Sequence, residues 1–156
     1  MMKAAVESAK EEAEKRNMPL PIVLAVTVLT SMDEMSLRKE LKITRSLSRE
    51  VSHLARLASR AGMHGVVASP REIRMLRRAI RGEFVILTPG VRPAWAAADD
   101  QKRVMTPGEA VFAGADYIVV GRPVLKAVDR KKAVEDILSE IEQFNAAAEP
   151  RKRVRR

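Results

Sequence analysis

Short apolar segments alternate with helical segments along most of this 156-residue chain. Strands that alternate with helices at this spacing predict parallel βαβ units. The first apolar segment is nearly continuous and rich in β-branched residues, which is typical of a parallel strand covered on both faces. The sequence therefore predicts an α/β fold with helices outside a parallel sheet, whose strands are Ile22–Val28, Gly65–Ser69, Phe84–Thr88 and Asp116–Val120.

Capping residues mark where several of the predicted helices begin and end. Ser46 is a candidate N-cap, and Gly62 suits the position just after the last turn of the same helix. Ser69 followed by Pro70 predicts a second helix start. Residues of the first of these helices at the helical period, expected on its buried face, are Val51, Leu54, Leu57, Ala58 and Ala61. The other predicted helices are Met1–Asn17, Thr106–Ala113 and Lys131–Ala148, and a short helical turn is predicted within Met32–Leu41.

The last two predicted strands each end in a glycine-containing turn that carries an arginine. Arg92 follows the third strand within Pro89–Pro93, and Arg122 follows the fourth within Gly121–Pro123. Backbone N–H groups at a glycine turn, together with a guanidinium, form a receptor for a phosphate dianion. TIM barrels commonly hold a phosphate in this way, between the loops after strands seven and eight. The sequence therefore predicts a phosphate site between these two loops.

Five segments of the sequence, taken in order, resemble the orotidine 5′-phosphate decarboxylase family. A lone Gly-Arg-Pro would mean little, whereas this ordered set is specific, and the resemblance covers the chain up to about Ala148. The segments are Ala25-Val26-Thr27-Val28-Leu29-Thr30-Ser31-Met32, Gly65-Val66-Val67-Ala68-Ser69-Pro70, Thr88-Pro89-Gly90-Val91-Arg92-Pro93, Asp100-Gln101-Lys102-Arg103-Val104-Met105-Thr106-Pro107 and Gly114-Ala115-Asp116-Tyr117-Ile118-Val119-Val120-Gly121-Arg122-Pro123.

The resemblance implies half of a TIM barrel. A closed (β/α)₈ barrel has eight strands and typically about 250 residues, and four strands are predicted here. By resemblance they are strands five to eight, the C-terminal half, and Met1 aligns with an interior helix of the family, the one before strand five. We therefore predict one half-barrel domain over residues 1–148 and a basic, disordered tail at residues 149–156. A truncated gene model or a split gene would account for such a chain.

The resemblance also implies which residues bind the substrate. Arg122 would form a forked pair with the phosphate beside the Gly121 N–H, and Arg92 would belong to the same site. Gln101 would come from a loop that closes over the nucleotide. Thr30, at the C-terminal end of its strand, would contact the ribose or the pyrimidine. On the residues alone, an arginine after a strand also fits a surface salt bridge, and a threonine also fits an ordinary strand position.

The family removes carbon dioxide from orotidine 5′-phosphate, giving uridine 5′-phosphate in pyrimidine biosynthesis without a metal or cofactor. Its reaction depends on a Lys-Asp-x-Lys-x-x-Asp motif. This motif is absent here, because no lysine in the sequence is followed directly by an aspartate. We therefore predict a carboxy-lyase by family that carries substrate-binding residues, no catalytic residues and no cofactor, and that lacks activity alone. The alternative is a non-catalytic half-barrel that binds nucleotide phosphates and pairs with another half.

An open parallel sheet leaves unpaired strand edges. The first and last strands would be those edges in this chain. Self-association, or a separately encoded N-terminal half that also restores the catalytic lysine, would cover them. The sequence therefore predicts a homodimer or a complementing half as partner.

The net charge raises the question of whether the chain binds nucleic acid. The formal net charge is +9, and five of the basic residues lie in Arg151–Arg156. No aromatic residue is interleaved there to stack on bases, so a solvated end is favoured over a nucleic-acid contact.

Without cysteine there are no disulfides or thiolate metal sites. His53 and His64 lack metal-ligand spacing and are interpreted as structural. No membrane-spanning or signal segment is recognised, which predicts a cytoplasmic protein. Trp95 is interpreted as a loop anchor rather than a stacking residue.

Overall fold

The computed structural model describes residues 1–96 and 105–153, with side chains through residue 147. Within these ranges, helices and strands follow the predicted alternating order. The helices are α1 (Met2–Lys15), α2 (Glu34–Lys39), α3 (Leu47–Arg60), α4 (Ile73–Ala79), α5 (Pro107–Ala113), α6 (Arg122–Leu125) and α7 (Arg130–Arg153). The strands are β1 (Leu24–Val26), β2 (Gly65–Val67), β3 (Val85–Thr88) and β4 (Tyr117–Ile118), and a 3₁₀ turn, Pro70–Glu72, leads into α4.

The four strands form one parallel sheet in the order β1-β2-β3-β4. Ala25 pairs with Val66, which pairs with Ile86, and Thr88 pairs with Ile118 on β4. Each strand therefore lies beside the next strand along the chain, and the connections between neighbouring strands carry helices. The predicted parallel α/β arrangement is confirmed.

The two faces of the sheet are covered very differently. Side chains alternate between the faces along each strand. On one face Val66, Ile86 and Thr88 are buried. On the opposite face Val26 and Tyr117, which lie in one row across the sheet, are 59% and 51% exposed. In a closed (β/α)₈ barrel this second face would point inward, because the helices surround the outside.

Helix α3 packs through small residues. Val51, Ala55 and Ala58 are completely buried, and their spacing of four and three residues places them on one face of the helix. The expectation that Leu57 lies on this face is wrong, since its side chain is 38% exposed. Adjacent helical residues point about 100° apart, so Leu57 lies on the flank of the stripe that contains Ala58.

Local capping chemistry fixes the helix ends. Gly62, two residues after the end of α3, has a φ of +79°, which favours glycine. At the start of α5 the Thr106 hydroxyl accepts a hydrogen bond from Glu109 N at 3.4 Å, while the Glu109 carboxylate accepts one from Thr106 N at 3.0 Å. This reciprocal pair is a capping box. Ser46 is the N-cap of α3 as predicted, although its side chain makes no capping hydrogen bond.

His64 joins neighbouring strands. Its Nδ1 accepts a hydrogen bond from Val23 N at 2.9 Å, and its backbone N–H donates to the Val23 carbonyl at 3.0 Å. Its own carbonyl accepts from Val85 N at 2.9 Å. The residue therefore has a structural role, as predicted.

The structure differs from the sequence prediction around the last strand. Strand β4 comprises Tyr117–Ile118 rather than Asp116–Val120. The short helix α6 was not predicted, because Gly121–Pro123 was interpreted as a turn. The Gly121 carbonyl accepts hydrogen bonds from Val124 N and Leu125 N, both at 3.0 Å. A proline near a helix start has a φ already suited to the first turn, so the turn continues as a helix.

The final helix is longer than predicted. Helix α7 continues to Arg153, so residues 149–153 are helical although the sequence predicted a disordered tail from residue 149. The alanines at 146–148 have high helix propensity. Residues 154–156 lie outside the described ranges. Within the described residues, no helix is long and apolar enough to cross a membrane.

Candidate functional site

The sheet register brings the two predicted arginine loops to the same edge. Thr88 on β3 and Ile118 on β4 are paired across the sheet, and each is the last residue of its strand. Arg92 follows Thr88 by four residues, and Arg122 follows Ile118 by four residues. Because parallel strands end at a common edge, both arginines leave the sheet on the same side, as the sequence predicted.

The backbone around Arg92 is held firmly. Gly90 has a φ of +74°, which turns the chain sharply after β3. Val91 forms an isolated parallel bridge with Met105, and Arg92 N donates to the Met105 carbonyl at 3.0 Å. Pro93 is completely buried. Arg92 itself is only 7% exposed, so its guanidinium is positioned by a fixed and largely buried loop.

Arg122 sits at the first position of α6, directly after Gly121. A Cβ built on Gly121 would meet no atom within 4 Å, so the space beside this residue is open. The Arg122 carbonyl accepts a hydrogen bond from Lys126 N at 2.9 Å, which closes the short helix. Arg122 is half-buried.

Both arginines line one open pocket of about 200 Å³. Its described lining consists of Arg92, Trp95, Ala96, Arg122, Pro123, Lys126 and Ala127. Three of these side chains are cations and none is a carboxylate. Arginine guanidiniums form bidentate, charge-assisted hydrogen bonds with phosphate oxygens. The described lining therefore groups three cationic side chains and offers no carboxylate for acid–base chemistry.

The other predicted site residues are not among the described residues that line this pocket. Gly121 directly precedes the lining residue Arg122 but is not itself among the lining residues. Thr30 is buried in a turn after β1, the strand at the opposite edge of the sheet, and is not among the lining residues. Gln101 lies outside the described residues. The structure thus brings Arg92 and Arg122 together, and does not bring Thr30 to the same pocket.

Two lining residues were missed by sequence reasoning. Lys126 lies one helical turn after Arg122, and this spacing becomes a signal only if α6 is recognised. Trp95 was interpreted as a loop anchor, and that interpretation is wrong because its side chain is 53% exposed and lines the pocket. In the described part of the chain, no group of three His, Cys, Asp or Glu side chains could hold a metal ion.

Comparisons with known proteins identify the family. The model of the family described as "Orotidine 5'-phosphate decarboxylase / HUMPS family" matches residues 1–137. The orotidine 5′-phosphate decarboxylase of Moorella thermoacetica is 52% identical over 142 residues, which cover 91% of this chain and 56% of that protein. The protein of the same name from Heliobacterium modesticaldum is 49% identical over 141 residues, with 90% and 58% covered.

A solved structure agrees with the sequence matches. The crystal structure of orotidine 5′-phosphate decarboxylase from Lactobacillus acidophilus matches with a TM-score of 0.72 at 35% identity, and the match covers 90% of this chain and 58% of that one. The chain therefore spans little more than half the length of these relatives. Its parallel four-stranded sheet corresponds to half of the barrel of that family. With sequence and structural matches in agreement, this chain belongs to the orotidine 5′-phosphate decarboxylase family of carboxy-lyases.

Proposed function

We propose that this chain is the phosphate-binding half of an orotidine 5′-phosphate decarboxylase. The observation that carries the proposal is that Arg92 and Arg122, on the loops after two adjacent parallel strands, line one pocket. In this role Arg122 binds the phosphate as a fork beside the Gly121 N–H, and Arg92 contributes the second guanidinium. Gln101 closes over the nucleotide, and Thr30 contacts the ribose or pyrimidine.

The reaction needs groups beyond those that line the pocket. The bond between the pyrimidine ring and its carboxylate breaks, carbon dioxide leaves, and the carbanion left on the ring takes up a proton. No Lys-Asp pair occurs in the 156 residues, so the lysine–aspartate cluster of the family must come from another polypeptide segment. Contacts to the remote phosphate would still contribute to catalysis, because binding energy from a non-reacting group can stabilise the transition state.

The exposed face of the sheet supports a partner. Val26, Tyr117 and Val119 are 59%, 51% and 46% exposed. Burying this apolar surface against a partner would stabilise the complex by roughly 25 cal/mol per Å². Such a partner would also cover the unpaired edges of β1 and β4. The proposed partner is an N-terminal half-barrel or, in a homodimer, a second copy of this chain. A cytoplasmic location, as for a soluble biosynthetic enzyme, is part of the same proposal.

A non-catalytic role is the second candidate. The pocket and the absence of a Lys-Asp pair also fit a half-barrel that binds uridine 5′-phosphate or a similar nucleotide without turnover. The two candidates differ in one respect. Only the first requires that decarboxylation appears when the missing half is supplied.

The test mixes the purified chain with the segment of the Moorella thermoacetica relative that this chain does not match. Decarboxylation of orotidine 5′-phosphate is followed by ultraviolet absorbance. We expect no turnover by either part alone, turnover by the mixture, and its loss in Arg122→Ala but not in the control Lys132→Ala. No turnover by the mixture, with uridine 5′-phosphate still bound, would favour the non-catalytic role. Robust turnover by the chain alone would refute the need for a second segment.

A further inference from the structure

Lys126 brings a third cation to the pocket. Its backbone N–H donates to the Arg122 carbonyl at 2.9 Å, and residues four apart on a helix lie on the same face. Both side chains line the pocket. The Lys126 ammonium makes no salt bridge with any residue in the described part of the chain. Other lysines do form salt bridges: Lys131 Nζ lies 3.8 Å from Glu135 Oε1, and Lys10 Nζ lies 3.9 Å from Glu14 Oε1.

The pocket wall beside these cations is apolar. Trp95, Ala96, Pro123 and Ala127 supply it. Trp95 is the only tryptophan in the chain. An apolar wall next to charged groups excludes water from part of the site, and this strengthens the charge-assisted bonds made to a bound anion. A phosphate monoester dianion would therefore be held by cations and partly shielded from solvent by the indole.

We propose, on the basis of the proposed function, that Lys126 is a further phosphate-binding residue and that Trp95 covers the bound phosphate. The phosphate dianion then accepts hydrogen bonds from two guanidiniums and one ammonium. Lysine acts on phosphate as a compact point charge, whereas arginine fixes its orientation. Lys126 accordingly adds affinity for the phosphate, and the arginines determine its position.

The experiment measures binding of uridine 5′-phosphate and of inorganic phosphate to the purified full chain. Because there is a single tryptophan, the fluorescence of Trp95 reports on the pocket directly. Calorimetry gives an independent dissociation constant. The variants are Lys126→Ala, Lys126→Arg, Arg122→Ala and Lys132→Ala, with far-ultraviolet circular dichroism to check that each is folded. Lys132 is exposed and is not among the lining residues, so Lys132→Ala is a matched loss of one charge.

We expect Lys126→Ala to weaken binding of both ligands about fivefold, the upper range for an exposed ion pair. Lys126→Arg should keep most of the affinity, Lys132→Ala should stay within about twofold, and saturation should change Trp95 fluorescence. Binding by Lys126→Ala within twofold of the wild type, while Arg122→Ala loses binding, would refute the role of Lys126 alone. Unchanged fluorescence despite calorimetric binding would refute the role of Trp95. Undiminished binding by Arg122→Ala would instead refute the phosphate site of the proposed function.

Discussion

The side chain of Arg77, near the end of α4, forms hydrogen bonds with three separate parts of the chain. Its Nε and Nη2 donate to the Gly114 carbonyl at 2.9 and 2.7 Å, and its Nη1 donates to the Phe84 carbonyl at 2.6 Å. Its Nη2 also pairs with the Asp116 carboxylate, which accepts a further hydrogen bond from Ile86 N at 2.7 Å. The guanidinium therefore holds the start of β3, the end of α5 and the approach to β4 together.

The structure allows the cost of removing this guanidinium to be estimated. Hydrogen bonds from a charged donor to the two carbonyls contribute about 1.5 kcal/mol each. The side chains of Arg77 and Asp116 are 31% and 43% exposed, so solvent screening limits their ion pair to about 0.5 kcal/mol. Methionine in place of arginine keeps much of the packing of the aliphatic stem. We expect Arg77→Met to lower the free energy of unfolding by about 3 kcal/mol.

Equilibrium unfolding in urea, followed by circular dichroism, measures this change. The matched control is Arg78→Met, which removes the same charge from an exposed neighbour on the same helix and should cost less than about 0.5 kcal/mol. Arg77→Met should also lower the melting temperature by about 6–12 °C for a chain of this size. Equal stability of the two variants would show that the guanidinium does not join these elements.

Two further predictions concern backbone packing and capping. Gly65→Ala should lower the free energy of unfolding by about 3 kcal/mol, because its Cβ would overlap the backbone of Val85 on the neighbouring strand. Gly121→Ala should leave the free energy of unfolding nearly unchanged, since its Cβ would point into open space. Similar unfolding midpoints in urea for the two variants would contradict the close approach of β2 and β3. Thr106→Ala should cost about 1 kcal/mol through loss of the capping box with Glu109, and thermal unfolding that matches the wild type would show that the box contributes nothing.

Local sequence signals identified most elements of the fold, because these elements are set by short-range chemistry. Gly62 marks the end of α3 because a positive φ is needed there, and the β-branched segments predict parallel strands in the correct order. The misses depend on longer-range contacts. Leu57 follows the helical period but lies on the flank of the buried stripe, and the position of that stripe depends on how α3 packs.

The family, the alternation of parallel strands with helices, and the two arginines at strand ends could all be predicted from the sequence. Each of these is a local pattern along the chain. The packing of the strands and loops was needed to show that Arg92 and Arg122 line one pocket with Lys126 and Trp95, and that Thr30 lies at the far edge of the sheet. The reason is physical: the pairing of Thr88 with Ile118 sets which loops meet, and register is a contact between strands about 30 residues apart along the chain.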